Sequence, residues 1–396
     1  MSKPLSGIRV LELGQLIAGP FAAKMLGEFG AEVIKIEPPG KGDPLRQWRL
    51  LHEGTSVWWH VQSRNKKSVT LDLRQREAQD IVRRLVREVD VVIENFKPGT
   101  LEKWDLGWEE LKAINPRLIM LRVSGYGQTG PYRDLPGFGV VGEAMGGLRH
   151  LSGEPGRAPV RVGVSIGDSL SALHGVIGVL LALRSLEQNG GTGQMIDVAL
   201  YESVFNMMES LLPEYSVFDH IRQPSGSSLP GIAPSNAYLC RDGKYVLIAG
   251  NGDSIFKRLM HAIGRPDMAE DPELENNTGR VEHVEKIDQA IAAWASQHNL
   301  SDVMNVMNNN HIPAGRVYDI QDIANDPHFH AREMILNSRL RDGTPVSVPG
   351  IVPKLSETPG EIRQDAPLLG EHTDEVLESI GISAAERADL REKGVI

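Results

Sequence analysis

One cysteine, Cys240, stands in 396 residues. An internal disulfide is excluded, and so is a metal site built on thiolates. Positive charge is in deficit. Lys and Arg number 42 against 52 Asp and Glu, a formal charge of −10. That argues against nucleic acid or an anionic membrane as the main partner, while leaving room for a local basic pocket. The longest apolar run, residues 176–183, is interrupted by Gly178 and falls short of the roughly 20 residues a membrane span needs. The opening MSKPLSGIRV carries no apolar signal core. The expectation is a soluble, cytoplasmic protein. Chemical signatures are missing too. No H-E-x-x-H pair and no Walker-type lysine loop occurs. The 12 histidines are scattered, so no metal site is expected.

What is present is a regular alternation. Strand patterns at 8–13, 32–37, 69–73, 91–94 and 118–123 are separated by helical ones. The latter lie at 18–29, at Ala78, Ile81, Val82, Leu85, Val86 and Val89, and around Leu111 and Ile114. This predicts an α/β protein with an open, mostly parallel, Rossmann-like sheet covered on both faces. A long helix is expected from 169 to about 187, followed by a returning strand at 195–199. Residues 223–234 (QPSGSSLPGIAP) are rich in Pro, Gly and Ser and read as a linker. A smaller α/β domain then has a strand at 245–249 and helices near 254–263 and 283–298. The turn-rich 327–371 crosses back, and the polar tail 372–396 is helical. The expected division is a large domain of 1–222 with the return of 331–396, and a linker and small domain of 223–330.

The first strand–turn–helix invites a dinucleotide-binding reading, with Glu37 ending the second strand. The turn, however, reads Gly14-Gln15-Leu16-Ile17-Ala18-Gly19-Pro20. Leu16 and Ile17 occupy places where a phosphate cradle needs glycine. Two other segments carry chemistry. In VGVSIGDSLSALHG, Asp168 follows Gly167 at the start of an apolar helix. It reads either as an N-cap or as a carboxylate nucleophile able to attack a thioester. Glycine before it would let a bulky acyl group approach. In ENFKPG, at the end of a strand, Asn95 offers polar contacts, Phe96 a stacking face, and Lys97 with Lys103 charge for phosphates. The plain alternative is a strand-to-helix turn with solvated lysines.

Four segments in order then carry a resemblance: PLSGIRVLELGQLIAGP with GAEVIKIEPPGKGD, DVVIENFKPGTLEKW, GVSIGDS, and APLLGEHTDEVL. Over essentially its whole length the chain resembles the class III CoA-transferases, the family of formyl-CoA transferase and the carnitine CoA-transferases. The resemblance implies an open α/β domain with a smaller α/β domain, and a homodimer of ring-like, interlocked chains. It implies Asp168 as the nucleophile. It implies CoA contacts at Ile17, Ala18, Leu71, Asp72, Leu73, Arg74, Asn95, Phe96, Lys97, Lys103 and Phe138, and Trp48 in the acyl pocket. Basic residues frequent in the family are replaced by Pro38 and Ser124. The four-glycine loop of formyl-CoA transferase is absent. LPGIAPSNAY and Gly250-Asn251-Gly252-Asp253 stand instead, nearer to the branch that uses succinyl-CoA with dicarboxylic or hydroxy-dicarboxylic acids.

The expected substrates are thus an acyl-CoA, such as succinyl-CoA, and a free carboxylic acid. The coenzyme A thioester is substrate, and no tightly bound cofactor is expected. Arg46 is the candidate for the distal carboxylate, since bidentate Arg pairing suits carboxylates. Gly250–Gly252 is a candidate lid. Two rival readings remain open. An α-methylacyl-CoA racemase needs a second base, and the loop matching its histidine reads LPGFGVV, without one. A non-catalytic acyl-CoA-binding protein could use the same fold.

Overall fold

Strands whose residues are buried on both faces read as short continuous apolar runs, and such runs form the centre of this protein. The computed structural model describes residues 2–396 apart from the side chain of Asn189. Six strands, β1 (Arg9–Glu12), β2 (Glu32–Glu37), β3 (Lys66–Thr70), β4 (Val91–Glu94), β5 (Ile119–Ser124) and β6 (Met195–Ala199), are all parallel. Their order is β3-β2-β1-β4-β5-β6. It reverses between β1 and β4, and the crevice at the carboxyl ends of those strands is where such sheets take ligands. The α/β class expected from the alternation is the one found.

Side-chain alternation divides the sheet between two cores. Leu11, Ile34, Val69 and Val92 pack with Val82 and Leu85 of α2 (Arg76–Val86) on one face. Val10, Val33, Val91 and Ile93 pack with Ala22 and Leu26 of α1 (Ala18–Glu28) on the other. Each such Val, Leu or Ile side chain stabilises the fold by about 1.5–3 kcal/mol. A short helix, α3 (Gly139–Met145), precedes the long α4 (Ile166–Asn189). Two sequence expectations shift here. The third strand covers 66–70 rather than 69–73, because Lys66 and Ser68, polar in the sequence, are fully buried on partners in the sheet. The long helix starts at Ile166 and runs unbroken. Gly178, which interrupts the apolar run in the sequence, lies inside it. A β-carbon there would come within 2.8 Å of Ile196, so glycine lets the helix lie close to the sheet. Residues 166–188 are thereby long and apolar enough to cross a membrane by length and composition. In this fold Ala172, Val176, Val179 and Ala182 join the core with Ile119, Leu121 and Val123.

Two compact units divide the chain. One takes residues up to 149, 161–221 and 333–396; the other takes 150–160 and 222–332. The second unit has three antiparallel strands, β7 (Ser235–Leu239), β8 (Tyr245–Ala249) and β9 (Ala314–Arg316), in the order β9-β8-β7. Tyr238, Val246 and Ile248 pack on Phe256 and Leu259 of α5 (Asp253–Ala262), Ile287 and Ile291 of α6 (Val284–Ala295), and Val303 and Met307 of α7 (Leu300–Asn309). α7 is a helix the sequence reading missed: its polar Asn-rich face masks the Leu300, Val303, Met307 spacing. In the first unit the C-terminal segment adds the hairpin β10 (Ile335–Arg339) and β11 (Pro345–Pro349), then α8 (Thr373–Ser379) and α9 (Ala384–Glu392). It is sewn down by Trp59 Nε1 to the Pro367 carbonyl (3.2 Å), Asn65 Nδ2 to the Glu361 carbonyl (2.8 Å), and Asp72 N–H to the Val395 carbonyl (2.8 Å).

Candidate active site

Asp168 is the third residue of α4, and Ser165 holds the N-cap position without a side-chain hydrogen bond. The capping explanation for this aspartate therefore fails. Its carboxylate accepts from its own backbone N–H and from no other described group. It borders a cavity of about 480 Å³. The walls are apolar, from Leu16, Ile17, Trp48, Phe138, Val140 and Val164, and charge enters only at Asp168, Arg49 and Arg161. Burial, with Glu143 as the second cause, pushes the Asp168 pKa up to about 6, against the pull of Arg161. The group is still ionised in about nine molecules of ten at pH 7. It is a carboxylate with little solvation and few partners, which is what a carboxylate nucleophile requires. Gly139 makes the arrangement possible, since a β-carbon there would overlap Asp168 Oδ2.

The turn after β1 forms one wall, and its shape comes from a buried charge network. Leu16 has φ of 63°, a left-handed conformation that costs a non-glycine residue about 1 kcal/mol or more. Its N–H donates to Asp43 at 3.1 Å. Asp43 pairs with Lys35 at 2.8 Å, and Lys35 also donates to Glu12 (2.7 Å) and to the Gly14 carbonyl (2.9 Å). Lys66 reaches Glu12 at 2.8 Å and the Pro20 carbonyl at 2.7 Å. Burial opposes the charge on Asp43, but Lys35 and the N–H groups of Leu45 and Leu16 hold its pKa below the ordinary value. Across the sheet switch point, Asn95 takes the Gln15 N–H and donates to the Gln15 carbonyl, each at 2.8 Å.

A second cleft, of about 190 Å³, gathers Leu71, Asp72, Leu73, Arg74 and Phe96 around Gln15 and Pro38, with Trp104 set edge-on to Phe96. Leu71 to Arg74 and Phe96 are among the positions expected to contact CoA. Ile17 and Phe138 lie instead in the Asp168 cavity, with Trp48. Ala18 is buried in the core against the sheet. The cations are unequal. Arg74 is exposed but forked onto Asp72 at 2.8 Å through Nε and Nη2, whereas Lys97 and Lys103 are exposed with no ion pair among the described residues. Asn95 is committed to Gln15. Phe96 is held through its N–H by Glu94 at 2.7 Å; burial lifts Glu94 to about 7 despite Arg122 beside it. Ser124, at a family basic position, is buried and accepts from Gly127 N–H.

Arg46, expected to hold the distal carboxylate, is engaged elsewhere. It is buried, its Nε and Nη2 donate to the two Glu37 oxygens at 2.8 and 2.9 Å, and its guanidinium lies 3.8 Å from the Trp59 ring centroid. Its Nη2 also donates to the Pro367 carbonyl at 3.2 Å, and it borders a different cavity from the one at Asp168. The Gly250–Gly252 segment, read as a lid, is tied down in its own unit. Arg280, fully buried, donates to the Asn251 carbonyl at 2.8 Å and to Asp253 at 2.7 Å. The sequence reading missed Gly139, Glu143, Arg161 and Arg49. None stands in a motif with chemical spacing, and only folding brings them to Asp168.

Residues 5–373 match the family described as CoA-transferase family III. The chain is similar to the succinyl-CoA–D-citramalate CoA-transferase of Chloroflexus aurantiacus, 49% identical over all of this chain and 98% of the other. It is similar to the succinyl-CoA–L-malate CoA-transferase beta subunit of that organism, 45% identical over 99% of this chain and 98% of the other. Among solved structures, a CaiB/BaiF family protein from Brucella suis superposes with a TM-score of 0.85 at 33% identity, covering 96% of this chain and all of that one.

Proposed function

The chain belongs to CoA-transferase family III and is a CoA-transferase, and on that premise we propose that it moves CoA from succinyl-CoA to a hydroxy-dicarboxylic acid of the citramalate or malate type through Asp168. The observation that carries the mechanism is the under-partnered, half-buried Asp168 carboxylate in an apolar cavity. Its oxygen attacks the thioester carbonyl carbon, the C–S bond breaks, and CoA leaves as thiolate. A mixed aspartyl–acyl anhydride remains. The thiolate then attacks the aspartyl carbonyl and expels the donor acid as carboxylate, leaving an aspartyl-CoA thioester. The acceptor carboxylate attacks that thioester and releases the thiolate. The thiolate finally takes the acceptor acyl group from the second anhydride and frees Asp168. No proton is gained or lost. Each covalent state keeps the group-transfer energy that a serine ester would dissipate. Water must be kept from these intermediates during turnover, or each would hydrolyse.

The CoA moiety belongs, in this reading, to the cleft of Leu71–Arg74 and Phe96, with Lys97 and Lys103 free for phosphates. The working form is a homodimer of interlocked chains in the cytoplasm. An exposed apolar set supports the dimer: Ile177 and Leu181 on α4, with Leu212, Val217, Phe218 and Ile221. Monomers seldom leave so much apolar surface to water. Light scattering should give twice 43.5 kDa; a monomer at micromolar concentration would exclude it. The mechanism is tested by trapping. With succinyl-CoA alone, hydroxylamine should convert Asp168, and no other carboxylate, to a hydroxamate visible in one peptide mass. Racemase chemistry and passive CoA binding form no bond to the protein and predict no label. Exchange of free acid without any label would mean direct transfer and remove this mechanism.

A further inference from the structure

We infer that Arg161 receives the distal carboxylate of the acyl group held over Asp168, and that Glu143 positions it there. The inference rests on the transferase reading above. An apolar cavity that takes a dicarboxylate must supply a cation at the end away from the reacting carbonyl, because an unpaired carboxylate in such surroundings is strongly disfavoured. Three arginines come into question. Arg46 is buried, forked onto Glu37 and stacked on Trp59, and it borders a different cavity. Arg49 borders the cavity, but its guanidinium lies 4.7 Å from the centroid of the Trp58 ring. Arg161 borders the same cavity and is half exposed. Only its Nε is engaged, by an ion pair with Glu143 Oε2 at 3.8 Å. Its two terminal nitrogens have no hydrogen-bond partner among the described residues. That leaves a planar fork free for a carboxylate, the geometry guanidinium groups match best.

Glu143 explains why the fork stays at the cavity. It lies on α3, almost wholly buried, and its Cγ packs beneath Gly167, one residue before Asp168. Its Oε2 is shared between Arg161 and Arg149, the latter at 3.2 Å, while its Oε1 has no partner. A buried carboxylate oxygen left without a donor is costly. The fold retains one here because the Glu143 charge holds a guanidinium beside Asp168 without filling its terminal donors. Asp168 and Arg161 then sit at the two ends of one small acid: the first attacks the activated carbonyl, the second fixes the remote charge. A monocarboxylic acyl group of the same length would leave Arg161 unpaired, so the pair also rejects it.

The test is a selectivity ratio from identity exchange. Label from free succinate enters succinyl-CoA, and in a separate assay label from butyrate enters butyryl-CoA, the same chain with methyl in place of the carboxylate. The ratio of the two kcat/KM values should favour succinyl-CoA in the wild type. It should fall about 100-fold in Arg161→Met, the loss of one charged, bidentate contact. Arg161→Lys, which keeps the charge but not the fork, should lower it about tenfold and decides the matter if the Met variant does not fold. Glu143→Gln should raise KM for succinyl-CoA more than it lowers kcat, as loss of positioning requires. A ratio within threefold of wild type in the Lys and Met variants would overturn the assignment to Arg161 and leave the transferase reading standing. A wild-type ratio near one would instead remove the dicarboxylate reading on which the assignment rests.

Discussion

Two groups of ionisable residues lie on either side of the turn after β1, and they are built on opposite terms. Behind the turn, Glu12, Lys35, Asp43 and Lys66 are wholly buried and paired at 2.7–2.8 Å. In front of it, Asp168 lacks a side-chain partner, Glu143 keeps one oxygen bare, and Arg161 has a free fork. The same residue types do different work. Close ion pairs accompany the strained turn, whereas the second group keeps donors and acceptors without partners among the described residues. An unsaturated site costs stability, a cost borne by the well-packed sheet beneath it.

The largest expected effect is that of Asp168→Asn. With no carboxylate to form an anhydride, transfer should fall about 10⁴-fold or more, with circular dichroism unchanged. Near-normal turnover would show that Asp168 is not the nucleophile. Lys35→Met breaks the other side. It leaves Glu12 and Asp43 short of a buried cation and should cost about 3–5 kcal/mol in urea unfolding. A loss under 1 kcal/mol would mean the network is not what fixes the turn.

A smaller effect sharpens the contrast through pH. The Asp168 pKa is raised in the fold to about 6, above the unfolded value near 3.9. The native state therefore binds more protons than the unfolded state between those values, and stability is lost as pH rises through the window. Asp168→Asn should thus raise the melting temperature at pH 7.5, by roughly 2 °C once solvent screening is allowed for. It should give no gain at pH 4. A gain at both pH values would point to packing rather than charge. The smallest expected change is in Glu143→Gln. Besides burial, Asp168 feels the charge of Glu143 from α3 and the opposing charge of Arg161, and Arg149 shares Glu143. Removing the Glu143 charge should move the acid limb of kcat/KM to lower pH by under one unit. A limb that stays or rises would contradict that coupling.

Much of the architecture is readable along the chain. The alternation that gives β1, β2, β4, β5 and their helices is a local pattern, and the strand ends at Glu37 and Ala199 fall where it places them. It fails at β3, where Lys66 and Ser68 look like loop residues until Glu12 and Glu37, from strands far off in sequence, pair with them. It fails again for α4, where Gly178 looks like an interruption until Ile196 packs against it. Of the site, Asp168 in its glycine setting and the ordered family motifs are visible by inspection.

The family resemblance, the parallel sheet and Asp168 in its glycine setting are legible along the chain, because periodicity and contiguous motifs are properties of neighbouring residues. The surroundings of each charge appear only with folding. Arg46 and Arg161 are indistinguishable as letters, yet one is closed off by Glu37 and the ring of Trp59 while the other keeps an open fork beside Asp168. An ionisable side chain takes its role from the partners and burial that folding supplies, and those come from segments that no local spacing connects.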